Sequence, residues 1–124
     1  MTDFEKLAHE QYCYLTTTGR ITGNPHEIEI WFGMKEGAGT IYLLSGGRER
    51  SDWVKNLTKQ PSVTVRIGRR RFDGLARKVA PRTKEDAEAR RLLVSKYRSS
   101  SGDDLSDWGK NSLPIAIQLT ATAR

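Results

Sequence analysis

Short runs of alternating apolar and polar residues, separated by glycine-containing turns, recur along most of this chain. Every second side chain is apolar in residues 26–32, and the same pattern returns in residues 62–67, just before Gly68. A period of two residues is typical of a β-strand that buries one face. Because the turns between the runs are short, neighbouring strands pair as hairpins, and the pattern predicts a largely antiparallel sheet.

Six segments carry strand signals, which is a large number for a chain of 124 residues. A sheet of this size must curl on itself to bury its apolar face, and a small barrel is the natural result. We therefore predict a mainly β fold with flanking helices, a barrel of about six largely antiparallel strands in one domain spanning residues 1–124. The predicted strands cover residues 12–17, 26–32, 40–45, 62–67, 71–79 and 113–120.

Helical patterns fall between some of these strands. A short helix is expected within residues 3–11, and a second begins at Ser51 and ends before Pro61. A third opens at Thr83 and continues to residue 97, followed by a polar loop over residues 98–102 and a helical turn around Trp108. Ser51 and Thr83 are the expected N-caps, because a hydroxyl oxygen there can accept a bond from a free backbone N–H of the first turn.

The positive charge of the chain is concentrated in one window. Lys plus Arg exceeds Asp plus Glu by 21 to 15, and residues 46–71 hold eight basic and two acidic residues, so this window accounts for the whole +6. A localised basic zone favours an anionic partner, such as a phosphorylated cofactor, a nucleic acid or a membrane surface. A solvated turn is the other interpretation of the arginine triplet at residues 69–71.

Several classes of protein are excluded by composition. The lone cysteine, Cys13, rules out an internal disulfide framework, and the apolar runs are far shorter than the roughly 20 residues of a membrane span. The acidic, polar residues 1–5 do not resemble a secretory signal, so we expect a cytoplasmic protein. No set of metal ligands surrounds His9 or His26, and no metal site is predicted.

Motifs for independent catalysis are also missing from the sequence. It contains no nucleophile elbow, no phosphate-binding P-loop lysine motif and no Gly-x-Gly-x-x-Gly after a strand. Glu27 and Glu29 lie two residues apart on one strand and are more readily explained as solvated partners of arginines than as a catalytic pair. If the protein is an enzyme, a cofactor carries the difficult step.

Two segments have the composition of an anion cradle. Residues 16–26, Thr-Thr-Thr-Gly-Arg-Ile-Thr-Gly-Asn-Pro-His, combine hydroxyls, a guanidinium and glycines that expose backbone N–H groups. Residues 45–53, Ser-Gly-Gly-Arg-Glu-Arg-Ser-Asp-Trp, place a glycine loop and two arginines before a helix N-terminus. Together they predict a site for an anionic, aromatic cofactor.

These segments, in this order, resemble the deazaflavin-dependent nitroreductase family of the flavin/deazaflavin oxidoreductases. The resemblance runs from about residue 15 to 119 and includes the motif Leu-Thr-Thr-Thr-Gly-Arg at 15–20, Ser-Gly-Gly at 45–47 and Asp-Trp through Asn-Leu at 52–57. It is carried further by Pro-Ser-Val-Thr-Val at 61–65 and by a weaker match around Tyr97, Trp108 and residues 113–115. The family implies a split β-barrel like that of pyridoxamine-phosphate oxidases.

The resemblance also implies a cofactor and a reaction. The cofactor is coenzyme F-420, an 8-hydroxy-5-deazaflavin with a phosphate and a polyglutamate tail, and the reaction is hydride transfer to a small-molecule electron acceptor, a quinone, activated enone or nitroaromatic. Trp31 would stack on or wall the pocket, and Tyr97 would donate a proton to the reduced product. The residues implied to bind the cofactor are Thr18, Arg20, Thr22, Gly23, His26, Ile28, Glu29, Ile30, Ser45, Gly46, Gly47, Arg48, Arg50, Trp53 and Asn56.

Other functions stay open at this point. The same fold with FMN in place of the deazaflavin would make an FMN-dependent reductase. A cofactor carrier without turnover and a small barrel that binds nucleic acid are further alternatives. Nucleic acid is disfavoured because Phe72 alone adjoins the arginine triplet, whereas single-strand binders need several exposed aromatic rings. The sequence leaves open whether the protein is a homodimer.

Overall fold

The structure is a computed structural model that describes residues 6–35, 37, 39–101 and 104–121. Within these ranges seven strands form one antiparallel sheet in the order β2-β1-β5-β6-β7-β4-β3. This result confirms the mainly β fold with flanking helices. The strands are β1 (Cys13–Thr18), β2 (Pro25–Ile30), β3 (Gly33–Lys35), β4 (Thr40–Ser45), β5 (Ser62–Ile67), β6 (Arg70–Lys78) and β7 (Leu113–Ala121).

The two edge strands explain why this sheet curls. β2 and β3 lie at opposite edges of the sheet, yet only Trp31 and Phe32 separate them along the chain. The three steps from Ile30 to Gly33 span at most about 11 Å, so the two edges must approach each other at this point. The sheet is therefore a barrel that is split between β2 and β3, with the two-residue link crossing the seam.

The inside of the curled sheet is the larger apolar core. Period-two side chains from β1, β4, β5 and β7 meet there, together with Val54 and Leu57 of a helix that covers one end. Ile28, Ile30 and Phe32 contact this core, while Trp31 between them packs on the other side of the sheet. The alternation that the sequence showed in residues 26–32 is therefore present in the structure.

Three α-helices of six or more residues pack around the sheet in the described residues: α1 (Asp52–Lys59), α2 (Lys84–Ser101) and α3 (Ser106–Asn111). A 3-10 turn over Arg48–Arg50 precedes α1. β4 is buried on both faces, because Ile41 and Leu43 point into the barrel and Tyr42 and Leu44 point toward α2. Among the helices that the structure describes, none combines the length and the apolar character needed to cross a bilayer.

The structure differs from the sequence prediction in three places. Residues 33–35 form a strand, where the glycines had suggested only a turn. Helix α2 continues to Ser101, so the predicted loop over residues 98–101 is wrong. Of the predicted N-terminal helix, Lys6 and Leu7 are helical, and residues 3–5 lie outside the described residues.

The two expected N-caps behave differently. The Thr83 hydroxyl accepts a hydrogen bond from the Asp86 N–H at 3.1 Å, as predicted. Ser51 occupies the N-cap position of α1, but its hydroxyl pairs with that of Ser45 at 2.9 Å. Among the described residues it makes no side-chain cap bond, so the first N–H groups of α1 stay available.

Candidate active site

A cavity of about 660 Å³ opens where the loop between β1 and β2 faces the start of α1. This volume lies within the range of small-molecule sites, which is about 300–1,000 Å³. The lining comes from the end of β1, the loop, the start of β2 and one face of α1. It consists of Thr17, Gly19, Arg20, Ile21, Thr22, Pro25, His26, Glu27, Ile28, Asp52, Trp53 and Asn56.

Asn56 joins the three walls of this cavity. Its side chain is 4% exposed, and its Oδ1 accepts hydrogen bonds from the backbone N–H of Arg20 at 3.2 Å and from Arg20 Nη1 at 2.8 Å. Its Nδ2 donates to the hydroxyl of Thr17 at 3.2 Å. A buried amide that satisfies three partners fixes the loop and β1 against α1.

Arg20 carries the loop side of this network. Besides Asn56, its guanidinium reaches Asp52 through Nη2 to Oδ1 at 3.1 Å and, more loosely, through Nη1 to the backbone oxygen at 3.5 Å. Lys59 donates from Nζ to the backbone oxygen of Arg20 at 3.0 Å. The loop is thus held at its base, while its tip carries Ile21, which is 86% exposed.

The close approach of His26 to Gly19 shapes the floor of the loop. A Cβ added at Gly19 would lie 2.7 Å from Nε2 of His26 and 3.0 Å from the backbone oxygen of Asn24. Only a residue without a side chain leaves room for the imidazole there. The loop itself is closed by a hydrogen bond from the Gly19 N–H to the same Asn24 oxygen at 2.8 Å.

The cavity has an apolar part and a polar part. Trp53 and Ile28 supply flat or branched apolar surface and both contact the inner core. The hydroxyl of Thr22, the ring of His26 and the guanidinium of Arg20 supply donors. The charged lining also includes the carboxylates of Glu27 and Asp52, so the wall is of mixed charge.

The second segment singled out in the sequence, residues 45–50, lies beside the cavity and not in its lining. Ser45 Oγ donates to the backbone oxygen of Arg48 at 2.9 Å. A Cβ at Gly47 would lie 2.6 Å from Oγ of Ser51, which accounts for the glycine there. This glycine turn therefore packs tightly against the start of α1.

The two arginines of that segment have different surroundings. Arg48 adopts a positive φ of 53° and donates from Nη1 to the backbone oxygen of Asn111 at 2.8 Å, so it closes the end of α3. Arg50 is exposed, and within the described part of the chain its guanidinium has no hydrogen-bond or ion-pair partner. The basic window of the sequence contributes to the cavity only Asp52, Trp53 and Asn56.

The two residues expected near the reaction, Trp31 and Tyr97, lie in the seam of the barrel. Their rings stack with centroids 4.2 Å apart and an interplanar angle of 2°, and Trp108 meets Trp31 edge-on at 5.5 Å. Tyr97 is fully buried, and burial raises the pKa of its hydroxyl. Neither residue is part of the cavity lining.

The structure brings together part of the expected binding set. The residues that line the cavity are Arg20, Thr22, His26, Ile28, Trp53 and Asn56. The residues that do not line it are Thr18, Gly23, Glu29, Ile30, Ser45, Gly46, Gly47, Arg48 and Arg50. Thr18 instead lines a second cavity of about 710 Å³, which it shares with residues of β5 and β6 such as Thr64 and Leu75.

Two lining residues, Thr17 and Asp52, lie in the predicted cradle segments but were not among the predicted binding residues. Thr17 follows Cys13 and Leu15 at period two, and this alternation could have placed its side chain inside the barrel. Asp52 was part of the cradle segment 45–53 and of the Asp-Trp motif but was assigned no binding role of its own, although its side chain lies four residues before Asn56 on the same helix face. As for metals, no cluster of three or more His, Cys, Asp or Glu that could hold an ion occurs among the described residues.

Solved structures with the same fold cover almost the whole chain. An F420 reductase matches with a TM-score of 0.70 at 18% identity, over 99% of this chain and 98% of its own. An F420-H2-dependent reductase matches at 0.67 and 19%, over 86% and 92%. A predicted pyridoxamine 5'-phosphate oxidase from Listeria innocua matches at 0.69 and 19%, over 96% and 91%.

The split antiparallel barrel with its loop-and-helix cavity defines a protein of the pyridoxamine-phosphate-oxidase-like fold. The chain belongs to the F420H(2)-dependent quinone reductase family, whose family model matches residues 4–120. Membership of this family makes the protein an F-420-dependent oxidoreductase.

Proposed function

We propose that the cavity between the β1–β2 loop and α1 binds coenzyme F-420 and that the protein reduces a quinone with it. The observation that carries this proposal is the cavity itself, whose polar and apolar parts lie side by side in a chain matched by the quinone reductase family over residues 4–120. The residues present fit a flat, phosphate-bearing coenzyme, because donors and an indole line the same space.

Each part of the lining has a distinct task in this proposal. Arg20, Thr22 and His26 supply donors for the phosphate, as charge-assisted bonds to phosphate oxygens require. Trp53 and Ile28 give the ring an apolar wall and exclude water from one side of it. Asn56 holds Arg20 in place from below.

The chemistry of the hydride comes from the coenzyme, which supplies it from C5 of its reduced ring when bound. The protein's part is to place the electron acceptor in contact with that ring, which replaces an encounter in solution by a fixed geometry. Quinones are the acceptors we favour because the family is named for them; activated enones and nitroaromatics are the related electrophiles to be compared.

A fluorescence titration of the purified protein tests the proposal. F-420 and FMN are titrated in parallel, and the protein is then mixed with reduced F-420 and a soluble quinone under anaerobic conditions. Binding of F-420 at micromolar concentration or below, with oxidation of the reduced coenzyme by the quinone, supports the proposal. Tight binding of FMN alone assigns the protein to the FMN-dependent alternative, and binding of neither overturns both.

A pair of histidine variants locates the binding. His26→Ala removes a ring from the cavity, whereas His9→Ala removes an exposed ring outside its lining. Weaker binding in the first variant alone supports this cavity as the site. If both variants bind F-420 with the affinity of the wild type, the assignment of His26 to the site is contradicted.

A further inference from the structure

We propose that Asp52 is a built-in competitor of anionic ligands: its carboxylate holds the position on the Arg20 guanidinium that a ligand phosphate takes. This inference rests on the proposed function, since it concerns a phosphate-bearing coenzyme in the same cavity. Both residues line that cavity, and Arg20 Nη2 lies 3.1 Å from Oδ1 of Asp52. Asp52 would thereby set how strongly charged a ligand must be to enter.

The two edges of the guanidinium are held very differently. Its inner edge is fixed by Asn56, which is 4% exposed and lies 2.8 Å from Nη1. Among the residues that the structure describes, its outer edge meets Asp52 alone, whose side chain is 83% exposed. Exposed ion pairs are weak and are screened by salt, so Asp52 can be displaced while Arg20 keeps its orientation.

The exchange is favourable for a phosphate in particular. A phosphate carries more charge than a carboxylate and presents several oxygens to the planar fork of an arginine. Once displaced, the carboxylate of Asp52 faces the solvent. It needs no new protein partner there, because the side chain is already largely exposed. A neutral ligand cannot drive this exchange, and it leaves the ion pair intact.

Local charge supports a gating role for Asp52. Besides Arg20, the charged groups in the lining are Glu27 and Asp52 itself, both acidic. With Asp52 paired, Arg20 presents no net charge to an approaching anion. With Asp52 displaced, the guanidinium of Arg20 offers its positive charge to the ligand. The net binding free energy of a phosphate at Arg20 is then the free energy of the Arg20–phosphate contact minus that of the Arg20–Asp52 pair.

Asp52→Asn tests the proposal, because it keeps the size of the side chain and removes the charge. Dissociation constants are measured for two matched pairs: FMN with riboflavin, and F-420 with its phosphate-free deazaflavin core. We expect roughly two- to fivefold tighter binding of the phosphate-bearing member and no change for the other, as loss of a weak exposed pair implies. Asp52→Ser should give the same direction.

Glu88→Gln is the matched control. It removes one negative charge from an ion pair as well, that of Glu88 with Lys35 at 3.3 Å, but on α2 and outside the cavity lining. Its affinity for all four ligands should equal that of the wild type. A gain in this control equal to that in Asp52→Asn would show that overall charge alone is responsible, and would overturn the inference.

Salt gives a second, independent readout. In the wild type, salt weakens both the Arg20–Asp52 pair and its replacement, so the two effects partly cancel. In Asp52→Asn only the ligand contact is screened, and log Kd should rise more steeply with salt. Equal slopes and equal affinities in both proteins overturn the inference alone. If wild type and variant bind no phosphate-bearing ligand at all, the proposed function falls first and the inference with it.

Discussion

The hydroxyl of Tyr97 contacts both backbone groups of Phe32, with its oxygen 2.9 Å from the amide nitrogen and 3.0 Å from the carbonyl oxygen. The backbone oxygen of Gln11 lies 2.9 Å from the same hydroxyl. The hydroxyl accepts from the Phe32 N–H and donates to one carbonyl at a time. Helix α2 thus satisfies the backbone at the seam between β2 and β3, where no strand in the described ranges pairs with Phe32.

Tyr97→Phe should therefore destabilise the fold. The change leaves the Phe32 N–H without its buried partner, and such a loss costs about 1–3 kcal/mol. Urea unfolding would show it as a lower midpoint at unchanged slope. Tyr12→Phe is the control, because Tyr12 is 40% exposed and its neighbourhood keeps access to water. An unchanged unfolding free energy with a large fall in kcat would instead support the role of Tyr97 as proton donor.

Lys96 should make stability depend on pH. Its Nζ donates to the Phe32 oxygen at 3.0 Å and lies 3.6 Å from the centre of the Phe32 ring, and burial lowers its pKa from 10.5 to about 8. Between these two values the unfolded chain binds a proton that the folded chain has released. The Lys96 contribution to the free energy of unfolding therefore rises as pH increases from about 8 toward 10.5.

Lys96→Met isolates this contribution. The unfolding free energy of the wild type minus that of the variant should increase between pH 7 and pH 10, as measured by denaturant unfolding at several pH values. Groups with the opposite trend, such as Cys13, whose pKa burial raises to about 12, occur in both proteins and largely cancel. A difference that is flat or falls with pH would contradict the expectation.

Gly19→Ala should disturb the cavity through His26. The added methyl would lie 2.7 Å from Nε2 of His26, so the ring must move out of the position it holds on the loop. We expect weaker F-420 binding and a stability loss of about 1–3 kcal/mol, as overpacking typically causes. In the double variant Gly19→Ala, His26→Ala the imidazole that the methyl would displace is absent. The stability loss of the double variant should therefore be smaller than the sum of the losses of the two single variants. Strict additivity would mean that the ring is not what the methyl displaces.

Asn56→Ala should separate the walls of the cavity. The substitution removes the acceptor of two Arg20 bonds and the donor to Thr17, all at a buried position. We expect a stability loss of about 1–3 kcal/mol and weaker coenzyme binding. Combining Thr17→Val with Asn56→Ala should lower the unfolding free energy little further, because the partner of the Thr17 hydroxyl is already absent. Full F-420 affinity in Asn56→Ala would contradict the role of this network.

Local sequence patterns were sufficient to predict most of the strands. β4 and β5 have the predicted bounds. Glycines flank the apolar run of β4, and β5 alternates between a proline and a glycine, so each leaves one consistent interpretation. β3 was not predicted, because three residues that include Gly33 carry too little pattern; in the structure β3 pairs with β4. Helix α2 extends beyond residue 97 into the polar segment that was predicted as a loop. Tertiary contacts near this end of the helix, such as that of Tyr97 with Phe32, support it.

The candidate site was predictable in part for the same reason. Arg20, Thr22 and His26 belong to one loop whose composition alone indicates an anion site. Arg48 could not be separated from such a set by sequence, because its bond to the end of α3 depends on how α3 packs. Whether a cation faces a ligand or a helix end is a matter of tertiary contact.

The sequence by itself determined the antiparallel strands, the loop between β1 and β2 and the α1 cap position, since each depends on neighbours within a few residues. Only the tertiary structure decided that β2 and β3 meet across a two-residue link and that Arg20 faces Asp52 and Asn56. The contacts of Arg20 join residues more than thirty positions apart. The strand count predicts that the sheet curls, but which distant residues the curl brings together depends on the packing of the whole sheet and its helices.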